Sequence, residues 1–137
     1  MRSSLYNVAL AKSTILPAAA KTTTTTGTTV DRMTDTGGFR SALILIHAGV
    51  VTDGTHTVEV QDSPNNSDWT AVANEFLQGT EPAITSSNDD RIHEIGYTGH
   101  QRYLRVVVTV SGSPSTGGLY SAIILLGWPR SMPPTRA

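Results

Sequence analysis

The segment Gln101–Val110, QRYLRVVVTV, decides the fold. Its side chains alternate with period two, as they do in a strand whose two faces meet different surroundings. The aliphatic face carries Leu104, Val106, Val108 and Val110. The other face is amphipathic and carries Tyr103, Arg105, Val107 and Thr109. Because burying one such aliphatic side chain is worth roughly 1.5–3 kcal/mol, the segment predicts a strand that packs on a second apolar layer.

Turn residues at fairly regular spacing divide the rest of the chain into similar short stretches. Asp53-Gly54 predicts a hairpin, and the contiguous apolar run Leu43–Ile46 predicts a strand buried on both faces. We leave residues 73–88 unassigned. Besides the central segment, we predict strands in the threonine tract Lys21–Val30 and over Phe39–Ala48, Thr55–Gln61, Trp69–Val72, Arg91–Tyr97 and Leu119–Leu126.

The number and spacing of these segments predict the fold class. Seven or eight short strands without a long amphipathic helix are typical of an all-β protein. We expect an antiparallel β-sandwich with jelly-roll or Greek-key connections, formed by residues 22–128. Residues 1–21 lack a strong period, so we expect an extended N-terminal arm, with a short helix over Leu5–Ala11 as the alternative. Residues 129–137 are expected to form a C-terminal tail.

Charge is distributed unevenly along the chain. All 11 acidic residues lie between Asp31 and Glu94, although the formal net charge is only −1. Five basic residues in the two ends have no acidic neighbour in sequence, namely Arg2, Lys12, Lys21, Arg130 and Arg136. Basic ends beside an acidic body suggest termini that touch a negative surface. Solvated tails with incidental charge explain the pattern equally well.

Motifs for chemistry are sparse. Asp35-Thr36-Gly37 resembles the catalytic loop of aspartic proteases, but Gly38 stands where that family prefers Ala or Ser, and a turn is the simpler interpretation. The chain has no cysteine, and its four histidines show no metal-ligand spacing. Nor does any apolar run approach the ~20 residues of a membrane span. We therefore expect no catalytic residue, no metal and no cofactor.

Two surface features are open to more than one interpretation. Trp69 follows a turn-rich segment, where an indole either stacks on a sugar ring or covers the end of the core. Tyr103 and Arg105 share the amphipathic face of the central strand, which suits a protein interface but is equally suited to cover by another strand.

Most of the chain, from about residue 25 to 130, resembles the cement (decoration) proteins of short-tailed bacteriophage heads. The resemblance is carried, in order, by GTTVDR, GGFRSALILIHAGVVTDGTHTVEVQDS, DWTAV, HEIGYTGHQRYLRVVVTVSG and the ending GG-x-x-x-AIILLGWPR. It implies a jelly-roll-like sandwich that sits outside an icosahedral shell and bridges neighbouring major capsid subunits, often as a dimer or trimer. It transfers no site residues, because the family is not defined by chemistry.

We therefore expect a non-enzymatic cement protein on the outer surface of a capsid, assembled in the host cytoplasm. The expected partners are the major capsid protein and further copies of this chain, without nucleic acid or membrane. A phage tail or adaptor protein, a carbohydrate-binding module that takes a host glycan, and a retropepsin-like protease are the alternatives. The candidate capsid contacts are Arg2, Lys12, Lys21, Tyr103, Arg105, Trp128, Arg130 and Arg136.

Overall fold

The computed structural model describes residues 4–34 and 37–136. That part of the chain contains a single helical turn, α1 (Leu5–Val8), a 3-10 turn (Asn74–Phe76) and eleven strands. The strands are β1 (Ala9–Ile15), β2 (Thr25–Thr26), β3 (Val30–Asp31), β4 (Phe39–Val51), β5 (Thr55–Ser63), β6 (Thr70–Ala71), β7 (Leu77–Gln78), β8 (Ala83–Ile84), β9 (Arg91–Tyr97), β10 (Tyr103–Ser111) and β11 (Gly118–Pro129).

The predicted antiparallel β-sandwich is confirmed. One sheet has five strands in the order β1-β11-β4-β9-β7, and the other has six, in the order β2-β10-β5-β6 with β3 on β10 and β8 on β5. The predicted count of seven or eight strands is too low. Five of the observed strands are only two residues long, and pairings that short leave no periodic pattern in a sequence.

The core lies between the two sheets, and three of the four residues in the predicted aliphatic row of β10 belong to it, whereas Val110 is half-buried. Leu104, Val106 and Val108 are all fully buried. They belong to the same apolar cluster as Ile44 of β4 and Ile124 of β11, which are also fully buried. The aliphatic row of β10 therefore has the apolar partner layer that its sequence requires.

The Asp53-Gly54 turn does not form the predicted hairpin. It connects β4 to β5, which lie in different sheets, because β4 is paired with β11 and β9 while β5 is paired with β10. The Asp53 carboxylate instead fastens the loop between β10 and β11. It accepts hydrogen bonds from the backbone N–H groups of Ser115 at 2.9 Å and Gly117 at 2.5 Å.

The prediction of an extended arm over residues 1–21 is wrong for Ala9–Ile15, which form β1 and pair antiparallel with β11. The register shifts between Ser13 and Ile15, so the side-chain alternation breaks there and the sequence shows no clear period. At this bulge Thr14 is buried. Its hydroxyl donates to the Thr28 carbonyl at 2.8 Å and accepts from the Val106 N–H at 3.3 Å, which ties the two sheets together.

The threonine tract and the C-terminal tail also pack on the domain. Only Thr25–Thr26 of the tract pairs as a strand, and Lys21 forms an isolated bridge with Gly118. The last strand extends to Pro129, the first residue of the predicted tail. Farther on, Arg136 donates to the carbonyl oxygens of Tyr6 and Ala9 at 2.6 and 2.5 Å. The tail therefore folds back onto the N-terminal segment.

Candidate functional site

The outer side of the five-stranded sheet is apolar along its centre. Leu43 of β4 pairs with Leu125 of β11, and the next outward pair along the same two strands is Leu45 with Ile123. The residues between them on each strand point into the core, so these side chains point outward. The outer apolar face, as we call this surface, consists of Leu43, Leu45, Ile92, Leu119, Ile123 and Leu125.

Solvent reaches much of this face. Ile92 is 57% exposed, Leu119 43% and Ile123 37%, whereas Leu43 and Leu45 are half-buried against their neighbours. The prediction that Leu43–Ile46 is buried on both faces is therefore wrong for the chain by itself. Ile44 and Ile46 are fully buried on the inner face, whereas the outward Leu43 lines a small cavity with Leu5 and Val8 of α1 and is only half-buried.

Few charged groups interrupt the outer apolar face. His47 pairs with Ser121 and Ile92, and Glu94 pairs with Leu45. These are the ionisable side chains at the outward positions of β1, β11, β4 and β9. An antiparallel sheet with one solvated face normally alternates apolar with polar residues. Exposed apolar patches of several hundred square ångströms mark interaction sites.

The face continues toward Trp128, which is 61% exposed. A small cavity of about 120 Å³ lies there, with Leu5, Leu43, Leu125 and Trp128 among its lining residues. Trp128 has a φ of 55°, a conformation that costs a non-glycine residue on the order of 1–3 kcal/mol and persists only where the surroundings impose it. The predicted contact residue Trp128 therefore borders the outer apolar face.

The predicted contacts Tyr103 and Arg105 lie on the opposite sheet and are engaged within the chain. The Arg105 guanidinium lies 4.2 Å from the centre of the Trp69 ring, and its Nε donates to Gln61 at 2.8 Å. Tyr103 lies 5.0 Å beneath the Arg102 guanidinium. One face of the Trp69 indole is thus covered by arginine, and Trp69 is only half-buried and lies outside the apolar core cluster.

The basic candidates at the two ends do not converge on one surface. Lys21 Nζ donates to the carbonyl oxygens of Leu16, Ala19 and Tyr120 at 3.2, 3.3 and 3.3 Å. Burial lowers the pKa of Lys21. Arg136 is held by the N-terminal segment, Lys12 is half-buried on β1 and Arg130 is exposed. The eighth candidate, Arg2, lies outside the described residues.

The titratable residues that the sequence raised for chemistry do not form a catalytic group among the described residues. Asp35 and Thr36 of the protease-like triplet lie outside the described part of the chain. His56 is fully buried, with Nδ1 3.1 Å from the Tyr120 hydroxyl and Nε2 3.2 Å from the Asp53 carbonyl oxygen. Burial raises the pKa of Tyr120 to about 12. The buried pair of His56 and Tyr120 therefore has a structural role, in the core next to the turn after β4.

Comparisons with known proteins identify no relative of this chain. Neither a protein-family model, nor a curated protein, nor a solved structure matches the chain. Across residues 4–34 and 37–136, no helix is long and apolar enough to span a membrane. The same residues bring no three His, Cys, Asp or Glu side chains into a group that suits a metal ion. The outer apolar face is the feature that calls for a function.

Proposed function

We propose that the protein is a non-enzymatic structural subunit of a phage particle. In this proposal it is a cement protein that binds the outer surface of an icosahedral head and bridges neighbouring major capsid subunits. The observation that carries the proposal is the outer apolar face, in which Leu43, Leu45, Ile123 and Leu125 form two adjacent cross-strand pairs. The resemblance of the sequence to decoration proteins supports the same assignment. The jelly-roll-like connections that this resemblance implies are part of the proposal.

The size of the face suits a weak contact that is repeated many times. The three strands that carry it, β9, β4 and β11, lie about 4.8 Å apart and contribute about six paired residues of 3.3 Å each, so the face covers roughly 300 Å². If a partner buries an equal area, the total is about 600 Å², below the about 1,000 Å² at which specific protein interfaces begin. A single contact of this size is therefore weak. Many symmetric copies on one shell strengthen it through avidity, and binding only to the assembled shell stabilises that shell.

The composition of the face defines the occupant. Because His47 and Glu94 are its ionisable groups, a strongly charged partner surface would lose hydration without gaining ion pairs. The partner surface must therefore be largely apolar and weakly charged. We assign it to the exterior of a shell subunit, in agreement with the resemblance, and treat dimerisation through this face as an outcome of the test.

The experiment measures binding to purified heads that lack this protein. Ile123→Glu places a charge in the middle of the outer apolar face, and Thr109→Glu places the same charge on an exposed position of β10 in the other sheet. We expect Ile123→Glu to lower occupancy on heads at least about tenfold, because the charge is desolvated on docking. Thr109→Glu should bind as the unchanged protein does.

Two outcomes would contradict the proposal. Equal occupancy for both variants would show that the shell contacts another surface. A wild-type protein that is dimeric in solution, together with an Ile123→Glu variant that is monomeric and still coats heads, would assign the face to self-association instead.

A further inference from the structure

Four of the chain's eight arginines line one cavity at the end of the sandwich next to β3. Its volume is about 340 Å³. Four segments supply one arginine each, from the turn after β3, the start of β4, the connection between β9 and β10, and the residue after β11. These are Arg32, Arg40, Arg102 and Arg130.

Arg32 is the fixed part of this basic cavity. It is only 7% exposed, and its guanidinium donates to the carbonyl oxygens of Gln101 at 2.7 Å, Arg40 at 3.2 Å and Phe39 at 3.3 Å. Its Nε is buried and has no hydrogen-bond partner among the described residues. Arg32 therefore fixes a positive charge in the wall of the cavity.

The rim of the cavity is positive. Arg40 and Arg130 are exposed. Arg102 forms a two-point ion pair with Asp31, from Nε to Oδ1 at 2.9 Å and from Nη2 to Oδ2 at 2.8 Å. Asp31 does not line the cavity, and neither does any other acidic residue in the described ranges 4–34 and 37–136. The Arg102 pair shows how a guanidinium of this rim holds a carboxylate.

The walls of the cavity distinguish between classes of anion. Met33 and the buried Phe39 lie in the lining with the arginines, so part of the wall is apolar. A small hydrated anion such as phosphate gains nothing from an apolar wall, whereas a carboxylate on an aliphatic stem uses both features. The volume lies at the lower end of the range for ligand sites, which suits one side chain better than an extended ligand.

We propose that this basic cavity binds the side chain of a glutamate that an acidic segment of a partner protein presents. The exposed guanidinium groups of Arg40 and Arg130 receive the carboxylate at the rim, and Met33 and Phe39 contact its methylene groups. This inference is independent of the outer apolar face and of the identity of the shell subunit.

The test is a titration of the full chain with a fluorescent peptide that carries glutamates, beside a matched peptide with glutamine in their place. Ionic strength is held constant, because exposed ion pairs are screened by salt. We expect the glutamate peptide to bind and the glutamine peptide to bind at least about tenfold more weakly. The double variant Arg40→Glu/Arg130→Glu should lose binding by a similar factor.

Arg91→Glu is the matched control for the single variants Arg40→Glu and Arg130→Glu, because each changes the net charge by the same amount and Arg91 is an exposed arginine on β9 outside the cavity lining. It should change the affinity less than about twofold. Thermal unfolding of every variant checks that it is folded, and Arg40→Gln/Arg130→Gln repeats the test without charge reversal. Equal losses in Arg91→Glu and in the single variants Arg40→Glu and Arg130→Glu would overturn the proposal, since net charge alone would then explain binding.

Two further experiments test whether another ligand occupies the basic cavity. Inorganic phosphate that displaces the peptide at a concentration below the peptide's own dissociation constant would replace the glutamate assignment with a phosphate site. Asp35 lies near these residues in sequence but outside the described part of the chain. If Asp35→Asn raises the peptide affinity about tenfold or more, the chain's own carboxylate takes the site and the proposal fails.

Discussion

Replacing Ile123 and Ile124 with alanine, one at a time, separates the two faces of β11 at adjacent positions. Ile124 is fully buried in the core, whereas Ile123 is 37% exposed on the outer apolar face. Removing a fully buried isoleucine side chain costs about 2–5 kcal/mol through lost transfer energy and the cavity that is left. The partly exposed Ile123 has less to lose, about 1 kcal/mol.

These free energies translate into separate melting temperatures. For a domain of this size 1 kcal/mol corresponds to roughly 3–5 °C, so Ile123→Ala should melt roughly 3–5 °C below the unchanged protein. Ile124→Ala should melt roughly 6–25 °C below it. Calorimetry of the two variants and of the unchanged protein gives the comparison directly, and urea unfolding at fixed temperature gives the free energies independently.

The same pair should rank in the reverse order in binding. On purified heads, Ile123→Ala should weaken occupancy because it removes contact area, while Ile124→Ala should bind normally below its melting temperature. If Ile123→Ala destabilises the free protein as much as Ile124→Ala, the outward face is packed within the chain. The assignment of the outer apolar face as a docking surface would then be refuted.

Three other substitutions test local claims. Hydrogen bonds hold the pKa of the Asp53 carboxyl below its usual value, so the stabilisation that Asp53 gives the fold is present above about pH 4 and is lost as the pH falls. Asp53→Asn should therefore flatten the acid dependence of the free energy of unfolding, measured in urea. An unchanged slope would count against this role of Asp53. Thr14→Val removes the hydroxyl that bonds the Val106 N–H and the Thr28 carbonyl. It should lower the free energy of unfolding in urea by about 1–3 kcal/mol, whereas a change near zero would show that this hydroxyl does not hold the two sheets together. A Cβ on Gly27 would lie 2.6 Å from the Val106 carbonyl oxygen, so Gly27→Ala should lower the melting temperature by several degrees, and a neutral change would show that this approach can relax.

The sequence predicted those strands whose residues alternate without a break. β9 has the predicted bounds Arg91–Tyr97, and β10 buries Leu104, Val106 and Val108 of the predicted aliphatic row but leaves Val110 half-buried. It could not show β1, because the bulge at Thr14 interrupts the alternation. Nor could it show that the chain changes sheets at Asp53-Gly54, since a turn signal states that a strand ends but not which strand the next one joins.

The candidate surface was present in the sequence in a form open to two interpretations. The apolar run Leu43–Ile46 indicates a strand with two apolar faces, and it cannot tell a face covered by the same chain from one left for a partner. The basic cavity leaves no local pattern at all. Its arginines are spread from Arg32 to Arg130 along the chain, and only the fold brings them together.

The most direct test of the proposed function is the stoichiometry of this chain relative to the most abundant protein of purified particles, measured by quantitative mass spectrometry. A cement protein that docks on shell subunits through its outer apolar face should be present in a fixed ratio to the major capsid protein, on the order of hundreds of copies per head. A few copies at a single vertex, or none, would contradict the assignment.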